Sequence, residues 1–130
     1  MIVYQIAIAF GRIVSLLPFR LIYGLSTFIA WILGTVLNYR SEVIAKNLKA
    51  SFPEMTEKLL KETQKGFYRN FADIIVESFK SLSISEKSMR SRFILRNPEV
   101  FQKLYAKNKG VIMVMGHHTN FEWTAMSIPL

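Results

Sequence analysis

Residues 21–39, LIYGLSTFIAWILGTVLNY, run for nineteen positions without a charged side chain, and Arg20 and Arg40 close the run at its two ends. A helix needs about 20 apolar residues to cross a bilayer core, so the run is of spanning length. Tyr23, Trp31 and Tyr39 supply rings of the kind that settle at a lipid–water boundary. The chain is thereby restricted to one membrane-spanning or deeply embedded helix, or to a core helix covered by later residues. The second option stays open, because Arg12, Gly24, Ser26, Thr27 and Gly34 dilute the apolar N-terminus. Residues 1–17 are also apolar but are interrupted by Arg12 and followed by Pro18, which predicts a shorter, kinked or interfacial companion. A cleaved signal peptide fits poorly: no basic n-region opens the chain, and the apolar stretch outruns an h-region.

Charge divides the chain at the same place. Arg12 and Arg20 are the only charged side chains before residue 40, and all nine acids lie after it. The expected organisation is a membrane-anchoring segment, 1–39, and a basic, amphipathic domain, 40–130. The net charge of +8 attracts nucleic acid, anionic lipid and acidic proteins alike. Beside an apolar segment it points to a lipid surface. Neither a Cys/His finger nor an aromatic RNA-binding signature is present, so nucleic acid is not an expected partner. The absence of cysteine removes disulfide and thiolate chemistry. Arg40, Lys46 and Lys49 after the apolar run, against Arg12 and Arg20 before it, place the later part on the cytoplasmic side.

The middle of the chain is patterned as helices. Ser41 and Glu42 open one that Pro53 stops. The stretch 56–82 is the clearest: Phe67, Phe71, Ile74, Ile75, Ser78, Phe79 and Leu82 recur at three- and four-residue spacing and predict one apolar face. Arg69 and Asp73 are four apart, close enough to pair on the surface. A polar turn follows, with a short helix from Ser85. Phe93-Ile94-Leu95 is expected as a short strand. Asn97, Pro98 and Glu99 then mark a helix start, and Gly110 its end. Residues 111–115, Val-Ile-Met-Val-Met, are expected as a strand buried on both faces. The order helix, strand, helix, strand, helix predicts an α/β fold.

The 111–115 strand leads into Gly116-His117-His118-Thr119-Asn120-Phe121-Glu122-Trp123, which holds both histidines of the chain. Thr119 and Glu122 have the spacing of a capping box, so a helix is expected to begin there. His117 then lies beyond the carboxyl end of a strand, where α/β sheets place their sites. Four residues separate His117 from Glu122, which lets the carboxylate fold back on the imidazole. Such a pair does base chemistry: the carboxylate fixes the tautomer while the other ring nitrogen takes a proton from a hydroxyl. No serine sits in a nucleophile elbow, so the indicated reaction is direct attack by a substrate hydroxyl on an activated acyl group. Spacing alone leaves two other readings: a cap among polar loop residues, and a metal site from His117, His118 and Glu122 that lacks the two-histidine helical pattern.

The block from Gly116 to Trp123 resembles the H-x-x-x-x-[DE] motif of the lysophospholipid acyltransferase superfamily. More narrowly, it is similar to that of the bacterial lipid A biosynthesis acyltransferases of lauroyl or myristoyl type, which often read G-H-aromatic-G-N-W-E-W. Leu16-Leu17-Pro18-Phe19-Arg20, Asn47-Leu48 with Ser51-Phe52-Pro53-Glu54, Phe67-Tyr68-Arg69 with Asp73 and Glu77, Asn97-Pro98-Glu99 and Gly110-Val111-Ile112 extend the likeness along nearly the whole chain. The resemblance implies an inner-membrane enzyme whose catalytic part faces the cytoplasm. It would move a fatty acyl chain from acyl carrier protein or acyl-CoA to a hydroxyl of a lipid A precursor, with no cofactor and no metal. His117 matches the general base and Glu122 the acid that orients it. The basic surface would suit an acidic carrier protein and a phosphorylated glycolipid. His118 departs from the pattern by standing where an aromatic is common. Later blocks of the family have no counterpart within residue 130, so the chain is expected to be an N-terminal portion of a glycerolipid-acyltransferase-like α/β domain, incomplete at its C-terminus and inactive in isolation. Two other functions are kept beside the leading one: a non-catalytic membrane-binding module, and acyl transfer to a different lipid acceptor.

Overall fold

The computed structural model describes residues 2–108, 110–112, 114–116 and 120–127. The described residues form α-helices α1 (Ile2–Leu16), α2 (Phe19–Trp31), α3 (Ser41–Ser51), α4 (Glu57–Lys80), α5 (Glu86–Arg92), α6 (Pro98–Tyr105) and α7 (Phe121–Ser127), with a π-helical turn, Ile32–Val36, continuing α2. They fall into two compact units, Met1–Ser83 and Ile84–Leu130.

In the first unit α1, α2 and α3 all lie against α4. Pro18 separates α1 from α2, as its missing N–H and fixed φ require. The helical span Phe19–Val36 is long and apolar enough to cross a membrane, and 17% of it is buried, which sets it apart from a core helix enclosed on every side. Its buried residues are Ile22, Ser26 and Ala30. With Gly34 they make a stripe at four-residue spacing, mostly of small side chains. Such stripes let two helix backbones approach closely. Leu21, Phe28, Trp31 and Val36 stand exposed on the other sides of the helix.

The partner stripe on α4 is Leu60, Tyr68, Ala72 and Val76. The expected apolar face of 67, 71, 74, 75, 78, 79 and 82 is thus beside the seam rather than in it: Phe67 is 41% and Leu82 66% exposed. Size decides this. Ala72 admits Ser26 and Ala30, whereas a phenylalanine at the same place would hold α2 away. Tyr68 enters the seam at Gly34, where an added Cβ would come within 2.7 Å of the ring. The Tyr68 hydroxyl donates to the Tyr39 carbonyl at 2.9 Å, so this large side chain is satisfied at its polar end.

Polar bonds continue the seam. Asp73 accepts the Ser26 hydroxyl, rather than pairing with Arg69 as its spacing predicts. The Tyr23 hydroxyl donates to Glu77 Oε1 at 2.7 Å. Lys80 Nζ donates to the carbonyls of Ser15 at 2.6 Å and Leu17 at 2.9 Å, and lies 5.3 Å from the centre of the Phe19 ring. Ser83 also donates to the Ser15 carbonyl. The last carbonyls of α1, which have no partner within their own helix, are therefore capped from α4. Hydrogen bonds to charged groups contribute about 1.5–3 kcal/mol each. This set explains why an apolar helix docks on a charged one.

Thr56 caps α4 by accepting the Leu59 N–H at 3.3 Å. Lys49 in α3 bonds Glu57 at 2.6 Å. That bond, with the nearby positive charges of Lys49 and Lys61, holds the Glu57 carboxyl below its ordinary value.

The second unit corrects part of the α/β expectation. Among the described residues there is no strand: Phe93-Ile94-Leu95 is irregular, and so are residues 111, 112, 114 and 115. A strand exists through its ladder, and neither segment has a hydrogen-bonded neighbour to form one with. Ile112 and Val114 are 92% and 91% exposed, the opposite of a strand covered on both faces.

Candidate active site

The second unit is built around two buried side chains, Met89 of α5 and Trp123 of α7. Helix α5 starts at Ser85, whose hydroxyl accepts the Ser88 N–H at 3.3 Å, and Arg90 pairs with Glu86 one turn away at 2.9 Å. Residues 93–97 lead to α6, where Asn97 occupies the position before Pro98 in a left-handed conformation and makes no side-chain cap. Asparagine tolerates that region better than most residues. After α6 the chain turns at Asn108, φ 48°, ahead of the glycine at 110 that was expected to serve there. A cleft of about 510 Å³ opens between α5, α6 and the end of α7, with Phe93, Leu95 and Phe101 on its walls.

Helix α7 carries the acidic end of the motif. Asn120 Oδ1 accepts the Trp123 N–H at 3.1 Å, which is the N-cap bond, one residue later than the Thr119 expected from sequence. Asparagine caps as well as threonine, so the sequence held this signal in the adjacent letter. The consequence reaches Glu122. With Asn120 as the cap, Glu122 is the second helical residue, not the third, and a capping box is not its register. Its carboxylate is exposed in the first turn, where the positive helix end favours an anion. Trp123, next in sequence, is buried and packs α7 against α5. Ser127 donates to the Trp123 carbonyl at 2.7 Å. Trp123 closes the motif in the sequence, and its burial is what that large side chain predicts for the inward face of the helix.

His117, His118 and Thr119 lie outside the described residues. The expected His117–Glu122 pair and the metal alternative therefore both rest on residues of which only Glu122 has a described place. Among the described residues no group of three metal-binding side chains occurs.

The chain matches no curated protein and no solved structure. The family model described as bacterial lipid A biosynthesis acyltransferase matches residues 1–130. The full length of that match covers the apolar helices, the α4 seam and the Gly116–Trp123 block together, and the chain belongs to the bacterial lipid A biosynthesis acyltransferase family.

Proposed function

We propose that the protein transfers a fatty acyl chain from a thioester donor, acyl carrier protein or acyl-CoA, to a hydroxyl of a lipid A precursor at the cytoplasmic face of the bacterial inner membrane. Membership of the family implies an acyltransferase of lipid A biosynthesis. The observation that carries the finer reading is the match along the whole chain, taken with His117 and Glu122 at the spacing of the H-x-x-x-x-[DE] block. His117 takes the proton of the acceptor hydroxyl as its oxygen attacks the thioester carbonyl. The carbon–sulfur bond then breaks, and the departing thiolate recovers the proton from the imidazolium. The products are an ester and a free thiol. Glu122 holds the imidazole in the reactive tautomer and stabilises its cation. The Asn120 cap supports this role, because α7 can begin without engaging the Glu122 side chain.

Residues 1–39 act as the anchor in this reading and 40–130 as part of the catalytic domain. The seam between α2 and α4 bears on how the anchor sits. Asp73 and Glu77 lie along α2 at Ser26 and Tyr23, and an ionised carboxylate at a bilayer centre costs at least about 2.5–3.5 kcal/mol. The anchor is therefore deeply embedded, with the exposed faces of α1 and α2 towards lipid and α4 on the aqueous side.

The test is His117→Ala and Glu122→Gln in the protein expressed in cells. Mass spectrometry of the extracted lipids should show loss of the acylated product for His117→Ala. Membrane association should persist in both variants. Retained turnover in His117→Ala would remove the base from the mechanism, and a product other than acylated lipid A precursor would reassign the acceptor.

A further inference from the structure

On the outer edge of the α2–α4 seam lies a groove of about 380 Å³, entirely within the first unit. One wall is Thr27, Trp31 and Thr35 from the apolar helix and its π-helical turn; the other is Lys65 and Arg69 from α4. No carboxylate lines it. Among the described residues neither Lys65 nor Arg69 has an ion-pair partner; the ion pairs Lys49–Glu57 and Arg90–Glu86 lie elsewhere. The two cations belong to a longer row: Lys58, Lys61, Lys65 and Arg69 recur at helical spacing and all are exposed. Lys58 and Lys61 stand in the first turns of α4, where the helix dipole disfavours positive charge.

We propose that this groove binds the anionic headgroup of a bilayer phospholipid, with the phosphate between Lys65 and Arg69 and the acyl chains along the exposed face of α2. Three features favour a lipid over a soluble anion. Trp31 is 54% exposed at the groove and stacks at 6.1 Å on Phe28, itself 56% exposed, so an apolar surface continues directly from the cationic one. Thr27 and Thr35 line the groove with exposed residues bearing hydroxyls, that of Thr27 donating to the Tyr23 carbonyl. The Tyr68 ring, seated on Gly34, gives the groove an aromatic floor. Arginine and lysine beside an indole are the combination that holds a helix at a membrane interface. The proposal rests on the reading that the outer face of α2 borders lipid.

The experiment keeps the two ideas apart. The full chain carrying Trp123→Phe leaves Trp31 as its one tryptophan. It is placed in phosphatidylcholine nanodiscs containing either dibrominated phosphatidylglycerol or dibrominated phosphatidylcholine as quencher. If that substitution prevents folding, the difference in quenching between the parent chain and Trp31→Phe isolates the same signal. Quenching by the brominated phosphatidylcholine reports that Trp31 meets lipid. The preference for phosphatidylglycerol reports the headgroup site. Each interfacial cation contributes roughly five-fold, so the expected preference is about 25-fold. Lys65→Gln with Arg69→Gln should bring the preference close to one while quenching by phosphatidylcholine remains. Lys103→Gln with Lys107→Gln, an equal charge change on the second unit, should leave it intact. A preference near one in the parent chain, its survival in the Lys65/Arg69 variant, or its equal loss in the Lys103/Lys107 variant overturns the site. Erasure of the preference by millimolar inorganic phosphate assigns the groove to a soluble anion and overturns the lipid. An absence of quenching by either lipid refutes the bordering of lipid by α2 instead.

Discussion

Gly34→Ala adds one methyl group to the chain, and the surroundings of Gly34 make it a sharp test of the α2–α4 seam. An ideal Cβ at Gly34 would stand 2.7 Å from Tyr68 Cδ2, 3.1 Å from Cγ and 3.2 Å from Cε2. The ring cannot swing away freely. Tyr68 is 5% exposed, it packs with Ala30 and Ala72, and its hydroxyl is tied to the Tyr39 carbonyl. Overpacking of this kind costs about 1–3 kcal/mol. Against it stands the helix propensity of alanine over glycine, about 1 kcal/mol. At Gly24, in the same helix, a Cβ meets nothing within 4 Å, so Gly24→Ala keeps the gain without the clash. The two substitutions should therefore differ by about 1–3 kcal/mol. At roughly 4–8 °C per kcal/mol for a unit of this size, that separates their midpoints by at least about 4 °C. The assay is thermal unfolding of the detergent-solubilised chain followed by circular dichroism. In a Tyr68→Ala background the obstacle is gone, and Gly34→Ala should then behave like Gly24→Ala. If the two alanine variants melt together, or if removing Tyr68 leaves their difference unchanged, the close approach at Gly34 is not what holds the seam.

Lys80→Met should free the Leu17 carbonyl, leave that of Ser15 to Ser83 alone and loosen α1, raising hydrogen exchange at its amides by the loss of about 1.5–3 kcal/mol, with α3 unaffected; unchanged exchange in α1 would show that the cap does not hold it. Lys49→Gln should raise the Glu57 pKa towards 4.5, as followed by carboxyl chemical shifts, because the hydrogen bond from Lys49 is the larger cause of its depression. The folded-state value is lowered, so the link between α3 and α4 is fully present above the ordinary carboxylate value and is lost as the pH falls through the depressed one. A Glu57 titration identical in the two chains would contradict this.

Much of the first unit is legible in the sequence because its signals are local. Pro18 and Pro53 mark the ends of α1 and α3, Thr56 caps α4, and the uncharged run 21–39 becomes α2 with its π-helical turn. The rotation of α4 is not legible, since it depends on which faces can approach. Hydropathy favours Phe67 and Phe71, yet the seam takes Ala72 opposite Ser26 and Ala30 because contact distance outweighs apolar area there. Asp73 likewise reads as half of a surface pair with Arg69 until a hydroxyl from forty-seven residues away claims it. In the second unit the helices are found, but the strands at 93–95 and 111–115 are not, because β structure is a property of pairs of segments and composition speaks for one segment at a time. The motif illustrates both cases. The helix after it forms as expected, while its start and cap move one residue on, from Thr119 to Asn120, and change the register of Glu122.

The antiparallel seam also orders the assembly of the first unit. The Tyr68–Tyr39 bond closes a loop of 29 residues, Ser26–Asp73 one of 47, Tyr23–Glu77 one of 54, and Lys80–Ser15 and Ser83–Ser15 loops of 65 and 68. The closures are nested, each containing the one before. Loop entropy grows as the logarithm of length, about 0.6 kcal/mol per doubling, so going from the innermost closure to the outermost adds only about 0.7 kcal/mol. Nearly the whole entropic cost of the seam falls on its first contact, at the Tyr39–Tyr68 end, inside which the Gln64–Ser41 bond closes 23 residues. Once that contact is made the seam closes like a zip, with Pro18 and α1 arriving last. The Tyr39–Tyr68 end governs how fast α2 docks, and the Lys80–Ser83 end governs how readily α1 peels away.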